Sequence, residues 1–382
     1  PHLHRPIWRT LFPTVRSRLS PSPAALVQHS IDIIAEINHA PRMEMKTILA
    51  TAREYIAAGA DMIDLGCDPE QSWSGVGECV RRLVGEGIPV SIDSFDPVEV
   101  TSAVDAGASL VLSVNETNRE RALDWGAEVV VIPGMNRDEK SFEETIFFLL
   151  EHDVRVRLDP ILDPLGVGFT DSVARYRSTR HRFPELPMMM GIGNLTELTD
   201  VDSAGVNVLL MGICQELRIE SVLTTQVINW ARSSIKECDL ARRMVHYSVS
   251  NQTPPKRVSD ALVMLRDRKL KPYPGGAFES LAQALKDNNY RLFAQDQQYH
   301  VVASNLYLHD DDPFRLFDRV MQQPCSENID PGHAFYLGYE LSKARIALTL
   351  GKQYNQDQSL NWGHLTVPED LHRLARKRKN HG

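Results

Sequence analysis

The feature that most constrains this chain is a rhythm. From residue 31 to about residue 232, short β-rich apolar runs alternate with segments of helical period. That alternation is the mark of βα units, in which parallel strands are joined by crossover helices. The runs cover residues 31–37, 62–66, 89–94, 110–115, 128–133, 154–160, 188–193 and 221–226. Eight successive units predict an α/β fold closed as a (β/α)8 TIM barrel. Helices are expected over residues 43–58, 75–85, 97–106, 118–125, 141–152, 171–183 and 203–217. Asp96 directly before Pro97 reads as an N-cap, and Gly59, Gly107 and Gly126 fall where left-handed C-caps belong.

The chain is 382 residues long, more than the roughly 250 that a barrel uses. After residue 232 the rhythm is lost, and the paired prolines Pro254 and Pro255 cannot continue a helix. The expected organisation is an N-terminal extension or remnant of a missing domain over 1–30, a barrel over 31–240, a linker over 241–255 and a smaller α+β domain over 256–382. In that last domain the pattern predicts an amphipathic stretch over 259–268, strands over 290–295 and 300–308, and a helix over 334–350.

With 42% hydrophobic and 24% charged residues the chain is an ordinary globular protein. Its net charge of -8 argues against a nucleic-acid partner. The basic run 373–379 reads as a solvated terminus. Five cysteines without a C-x-x-C pair give neither a disulfide framework nor a zinc ribbon, which fits the cytoplasm. No apolar stretch reaches the 18 to 20 residues of a spanning helix, so no membrane association is expected.

In such barrels the chemistry sits at the C-terminal ends of the strands. Here those ends carry Asn38, Asp64, Asp68, Asp93, Asn115, Asp159, Asp163, Asn194, Thr224 and Thr225. A mouth of carboxylates and carboxamides, without lysine, suits a neutral ligand rich in N–H donors and carbonyls, such as an amino-pyrimidinone. Each residue also has a plainer reading. Asp64 serves equally well as a carboxylate that holds loop amides; Asn115 as a turn cap; Asp159 before Pro160 and Asp163 before Pro164 as turn initiators. Asp93 is the hardest to explain structurally, because a carboxylate at the end of an apolar strand is costly to bury without a partner. The short pairs Gly166/Gly168 and Gly191/Gly193 do not make a dinucleotide fingerprint, the histidines show no H-x-x-x-H or H-E-x-x-H spacing, and no G-x-S-x-G elbow is present.

The order Ile-x-Glu-Ile-Asn38, Gly59-Ala-Asp-Met-Ile-Asp64, Pro89-Val-Ser-Ile-Asp93-Ser, Val111-Leu-Ser-Val-Asn115 and Leu158-Asp159-Pro resembles the pterin-binding barrel of dihydropteroate synthases. The segments that begin at Asp163, Met188 and Val222 resemble more closely the archaeal-type dihydropteroate synthase-like proteins associated with tetrahydromethanopterin biosynthesis. The stretch from His333 is similar to the domain appended in that group.

The resemblance implies a transferase that joins a 6-hydroxymethyl-dihydropterin diphosphate to an arylamine, a ribofuranosyl-aminobenzene phosphate derivative in that group. It implies Asp93, Asp159 and Asn38 as catalytic residues, Asp64, Asp93, Asn115, Asp159 and Asn194 around the pterin, and Asn38 on a magnesium ion. A homodimer in the cytoplasm is the expected assembly. The ordinary synthase has a Ser-Arg-Lys turn after strand seven and an Arg-x-His after strand eight. Here those places read Gly193-Asn194-Leu195 and Thr224-Thr225-Gln226, which leaves Thr224 and Thr225 as the expected phosphate-binding residues. An Asn after strand seven is shared with pterin-dependent methyltransferases that serve corrinoids, an alternative reading beside a non-catalytic pterin-binding subunit.

Overall fold

A computed structural model describes residues 26–68, 72–135, 137–267, 269–287 and 289–369. The basic run 373–379 and most of the N-terminal extension lie outside them. The chain divides into two compact units, one ending at Ser259 and the other starting at Asp260.

The first unit is the barrel. Its strands are β1 (Asp32–Ile37), β2 (Met62–Gly66), β3 (Val90–Asp93), β4 (Leu110–Val114), β5 (Glu128–Val131), β6 (Val156–Leu158), β7 (Met189–Gly191) and β8 (Ser221–Thr224). They pair in parallel in the order β6-β5-β4-β3-β2-β1-β8-β7, and a parallel bridge between Leu158 and Met188 joins the two edges. The expected eight-unit barrel is what forms.

Its helices are α1 (Met45–Ala58), α2 (Val76–Gly85), α3 (Pro97–Asp105), α4 (Glu139–Glu151), α5 (Phe169–Arg182), the single turn α6 (Gly193–Thr196), α7 (Ser203–Leu217) and α8 (Ser234–Ser250). Local chemistry sets their ends. Asp96 accepts the Val98 N–H at 2.8 Å, and Gly59 caps α1 at φ 113°, a conformation that costs glycine nothing. Two expectations change. Residues 118–125 do not form an α-helix; turns and a 3-10 segment at Arg121–Asp124 bridge this short link. Residues 241–250, expected as linker, continue α8, because Ala241, Arg242, Met244, Val245 and Ser248 are buried along it.

Alternation along the strands sorts the barrel interior into layers. At the N-terminal end, Arg157 donates to Glu128 at 2.8 Å and to the Ser221 hydroxyl at 2.7 Å. Above it lies an apolar plug of Ile34, Leu110, Leu112, Val130 and Met189, with Met62, Ile132 and Leu223 packed against it. The residues one pleat further along the same strands are polar, and they form the mouth.

The second unit is a three-stranded antiparallel sheet, β9 (Arg291–Gln295), β10 (Gln298–Ala303) and β11 (Leu306–Asp310), in the order β11-β10-β9. The single strand expected over 300–308 is a hairpin, turned at Ser304 and a left-handed Asn305 (φ 56°). Phe278 and Ala282 of α9 (Ala277–Ala284) pack with Val302 on one face. On the other, α10 (Pro313–Met321) and α11 (Pro331–Leu350) supply Leu316, Val320, Leu337 and Leu341 to a core with Leu292, Tyr299 and Val301. Residues 259–267, the described part of the expected amphipathic stretch, form neither helix nor strand. Among the described residues no helix is long and apolar enough to cross a membrane.

Candidate active site

The mouth is built from strand tips held in register. Glu36 of β1 pairs with Asp64 of β2, Asp64 with Ser91 of β3, and Gly66 with Asp93. Because Ile34 and Met62 point into the apolar plug, Glu36 and Asp64, two residues on, point into the barrel above it. Three carboxyls thus share one poorly solvated space. Ser91 donates to Asp64 at 2.6 Å, and Ser113 donates to Asp93 at 2.7 Å. The second Asp64 oxygen is buried without a partner.

Like charges in low dielectric cannot all ionise together. Burial, then the charges of Asp93 and Glu197, push Glu36 up to about 7. Asp64 is raised well above the carboxylate range by burial, with Asp93 and Glu36 adding to it. Asp93 is raised by burial, against the pull of the Ser113 hydroxyl. The cluster therefore favours protonation, and a protonated carboxyl can donate as well as accept a hydrogen bond.

The opposite wall is Asp159. Tyr176, fully buried on α5, donates to its Oδ1, and the Ile161 N–H donates to the same oxygen at 2.8 Å. Burial raises this carboxyl to about 6, although Tyr176, the Ile161 and Gly191 N–H groups and Arg137 all work to lower it. A methyl group added at Gly191 would lie 3.8 Å from Asp159 Oδ2 and 3.9 Å from Asn194 Nδ2, ordinary van der Waals contact, so both side chains border this strand tip. Asn194 Nδ2 also donates to the Leu162 carbonyl at 3.1 Å.

The other expected residues divide. Thr225 donates to Asn38 Oδ1 at 2.9 Å, joining the tips of β8 and β1. Thr224 is buried and follows Leu223, which packs on the interior plug, so strand alternation turns it away from the mouth that Thr225 faces. Asn115 accepts from the Thr117 N–H and hydroxyl at 2.9 and 2.7 Å, the turn-capping role that its residue type allows.

Several residues were not anticipated. Glu36 was legible, since it lies two residues before Asn38 and therefore on the same face of the strand. Ser113 was not, because alternation points it outward; a register shift between Val111 and Val114 and a left-handed backbone (φ 65°) turn it back. Basic groups also reach the rim from unexpected loops. His39 and Arg42 bind Asp68 at 2.6 and 2.7 Å, and Arg137 and Arg175 bind Asp163 at 2.7 and 2.6 Å.

Residues 37–144 match the family model described as pterin binding enzyme. The chain is 28% identical over 365 residues to an uncharacterized protein of Methanocaldococcus jannaschii, covering 86% of this chain and 69% of that one. Among solved structures, dihydropteroate synthase of Yersinia pestis in a sulfonamide drug complex aligns with a TM-score of 0.47 at 18% identity, over 58% of this chain and 94% of that one. Dihydropteroate synthase of Xanthomonas albilineans in complex with 7,8-dihydropteroate gives 0.45 at 20% identity, over 59% and 95%. Within the matched residues 37–144 lie Asn38, Asp64, Asp93 and Asn115.

Proposed function

We propose that the barrel is a transferase of the dihydropteroate synthase type, condensing a 6-hydroxymethyl-dihydropterin diphosphate with an arylamine for a tetrahydromethanopterin- or folate-type cofactor. The observation that carries this is the convergence of Glu36, Asp64 and Asp93 within the segment matched to pterin binding enzymes. A pterin offers a ring amino group and ring N–H donors, and the buried cluster offers carboxyl oxygens, one of them unpartnered, to receive them.

Loss of diphosphate leaves positive charge on the pterin methylene. Preorganised carboxyls such as Asp93 and Asp159 stabilise that charge without reorganising. Among the described residues no three His, Cys, Asp or Glu side chains could hold a metal ion. The Asn38 carboxamide oxygen would be the protein ligand for magnesium, a hard cation that prefers oxygen. The ion would neutralise the leaving group. Thr225 fixes the Asn38 oxygen for that purpose.

The test is diphosphate release from the pterin diphosphate with magnesium and a panel of arylamines. Asp93→Ala should abolish both release and pterin binding; unchanged pterin affinity in that variant would remove the site. Asn194, in the turn directly after β7, supports a second reading, methyl transfer from a tetrahydropterin. Tight binding of methylated tetrahydropterin, with no diphosphate release from any arylamine, would select it. The proposed enzyme is a cytoplasmic homodimer, which light scattering of the purified protein would check.

A further inference from the structure

Most barrel helices turn an apolar stripe to the sheet, but α5 does not. Its buried residues are Ser172, Tyr176 and Arg180, at every fourth position, and all three are polar. Two of them fasten the helix. The Ser172 hydroxyl donates to the Phe169 carbonyl at 2.6 Å, and Arg180 donates to the Leu186 and Leu217 carbonyls at 2.8 and 3.0 Å. Tyr176, midway between these anchors, is fully buried and aims its hydroxyl at Asp159 Oδ1. Phenylalanine would fill the same space without carrying a hydroxyl into the interior.

The two walls of the mouth surround their carboxyls differently. Glu36, Asp64 and Asp93 face one another, with one serine hydroxyl on Asp64 and one on Asp93. Asp159 faces donors: the Tyr176 hydroxyl and the Ile161 N–H on Oδ1, the Gly191 N–H, and the Arg137 guanidinium from the loop after β5. Arg175 of α5 and the Cys214 thiol of α7 stand near the phenol. Arg137 and Arg175 both also hold Asp163, and Glu116 lies against Gly134 on the Arg137 loop, so the phenol is the side-chain donor that Asp159 has to itself. Burial and the Asp159 charge raise both the phenol and the thiol, so neither ionises in place of the carboxyl, and Tyr176 donates without giving up its proton.

We propose that Tyr176 is a positioning residue for the transfer step: its hydroxyl holds Asp159 in place and charged, so that this carboxylate supplies a fixed negative charge beside the cation left when diphosphate departs. The inference rests on the transferase reading. In that step the C–O electron pair leaves with diphosphate, the amine nitrogen closes the bond to the methylene, and the amine proton passes to water.

Two measurements on the full chain test this. Carbon NMR of protein with labelled aspartate carboxyls follows Asp159 directly, and Asp159→Asn identifies its signal. In the wild type this carboxyl should titrate at about 6, and in Tyr176→Phe its acidity should fall about tenfold or more. Diphosphate release should follow the same titration, since activity is lost as the pH falls and Asp159 takes up a proton. Tyr176→Phe should therefore be about threefold or more slower than wild type at about pH 6.5 and within about twofold of it at about pH 9. Fluorotyrosine in place of Tyr176, which keeps the hydroxyl and makes it a stronger donor, should move both readings the other way, and it serves where the phenylalanine variant does not fold. A carboxyl that titrates alike with and without the hydroxyl, or a Tyr176→Phe variant slowed equally at both pH values, would overturn the proposal. A wild-type protein that releases no diphosphate at any pH ends the transferase reading and the role in transfer with it, while the carbon signal still reports whether Tyr176 sets the charge on Asp159.

Discussion

The barrel and the C-terminal unit both bury charged side chains, but they treat them in opposite ways. In the C-terminal unit, Lys343 of α11 sits 2.8 Å from Glu340 and 2.7 Å from Glu369 and donates to the Gln358 carbonyl, while the Tyr354 hydroxyl donates to the other Glu340 oxygen at 2.7 Å. Lys352 is buried against the Met264 and Asn361 carbonyls and over the Trp362 ring. Each of these charges has counter-charge or carbonyl oxygen around it. At the barrel mouth Glu36, Asp64 and Asp93 face one another with the same sign, and burial alone already works against their ionisation. Paired burial holds a fold together, whereas like-charged burial destabilises it and persists where a ligand supplies the missing partner.

The sharpest way to break this comparison is to unpair the C-terminal cluster. Lys343→Met strands Glu340 in a buried site and should lower the stability of that unit by about 3–5 kcal/mol. Chemical denaturation should show it as an earlier transition, with pterin binding by the barrel intact; an unchanged transition would mean the pairing is incidental.

The counterpart in the barrel is Asp64→Asn, which imitates the protonated acid. Stability at pH 7 should stay within about 1 kcal/mol, while pterin affinity falls by roughly 10- to 100-fold, because the amide cannot ionise to meet a ring N–H as the carboxyl can when the ligand binds. Equilibrium denaturation and fluorescence titration read the two quantities separately. Large destabilisation without loss of affinity would move Asp64 into the structural class.

The acid cluster also fixes the sign of the pH dependence. Glu36 rises from 4.5 to about 7 on folding, so its contribution to stability is complete below pH 4.5 and disappears as the pH climbs through 7. The ligand-free barrel should lose roughly 1–3 kcal/mol between pH 5 and pH 8 from this group, and Glu36→Gln should flatten that slope. A melting temperature that does not change over that range would contradict the cluster.

The smallest expected effect concerns Gly66. A Cβ there would meet Glu36 Oε1 at 2.7 Å, so Gly66→Ala must displace that carboxyl. A cost of about 1 kcal/mol, with a shift in the pH midpoint assigned to Glu36, would localise the crowding. The pH titration of the variant measures both.

The sequence made the scaffold legible because the scaffold is periodic. Eight apolar runs, the Asp96 cap and the glycines that close the helices are local signals. Asn38, Asp64, Asp93 and Asp159 stood out for a related reason: each is a polar residue in or just past an apolar run. What the sequence hid depends on contacts across the chain. Tyr176 looks like any helix tyrosine until α5 lays it on Asp159, and Arg137 and Arg175 meet only because two loops share Asp163. Thr224 and Thr225 differ by one residue and point to opposite sides of the barrel wall, a distinction that depends on the exact end of β8. The hairpin at Asn305 was missed because no glycine or proline marks its turn.

Ser113 adopts a backbone conformation that glycine would accept without penalty, yet it carries the hydroxyl that reaches Asp93. Substituting glycine would ease the chain through this bend and take away the group that steadies the carboxylate. Backbone ease and the hydroxyl contact to Asp93 therefore make opposite demands on this one position.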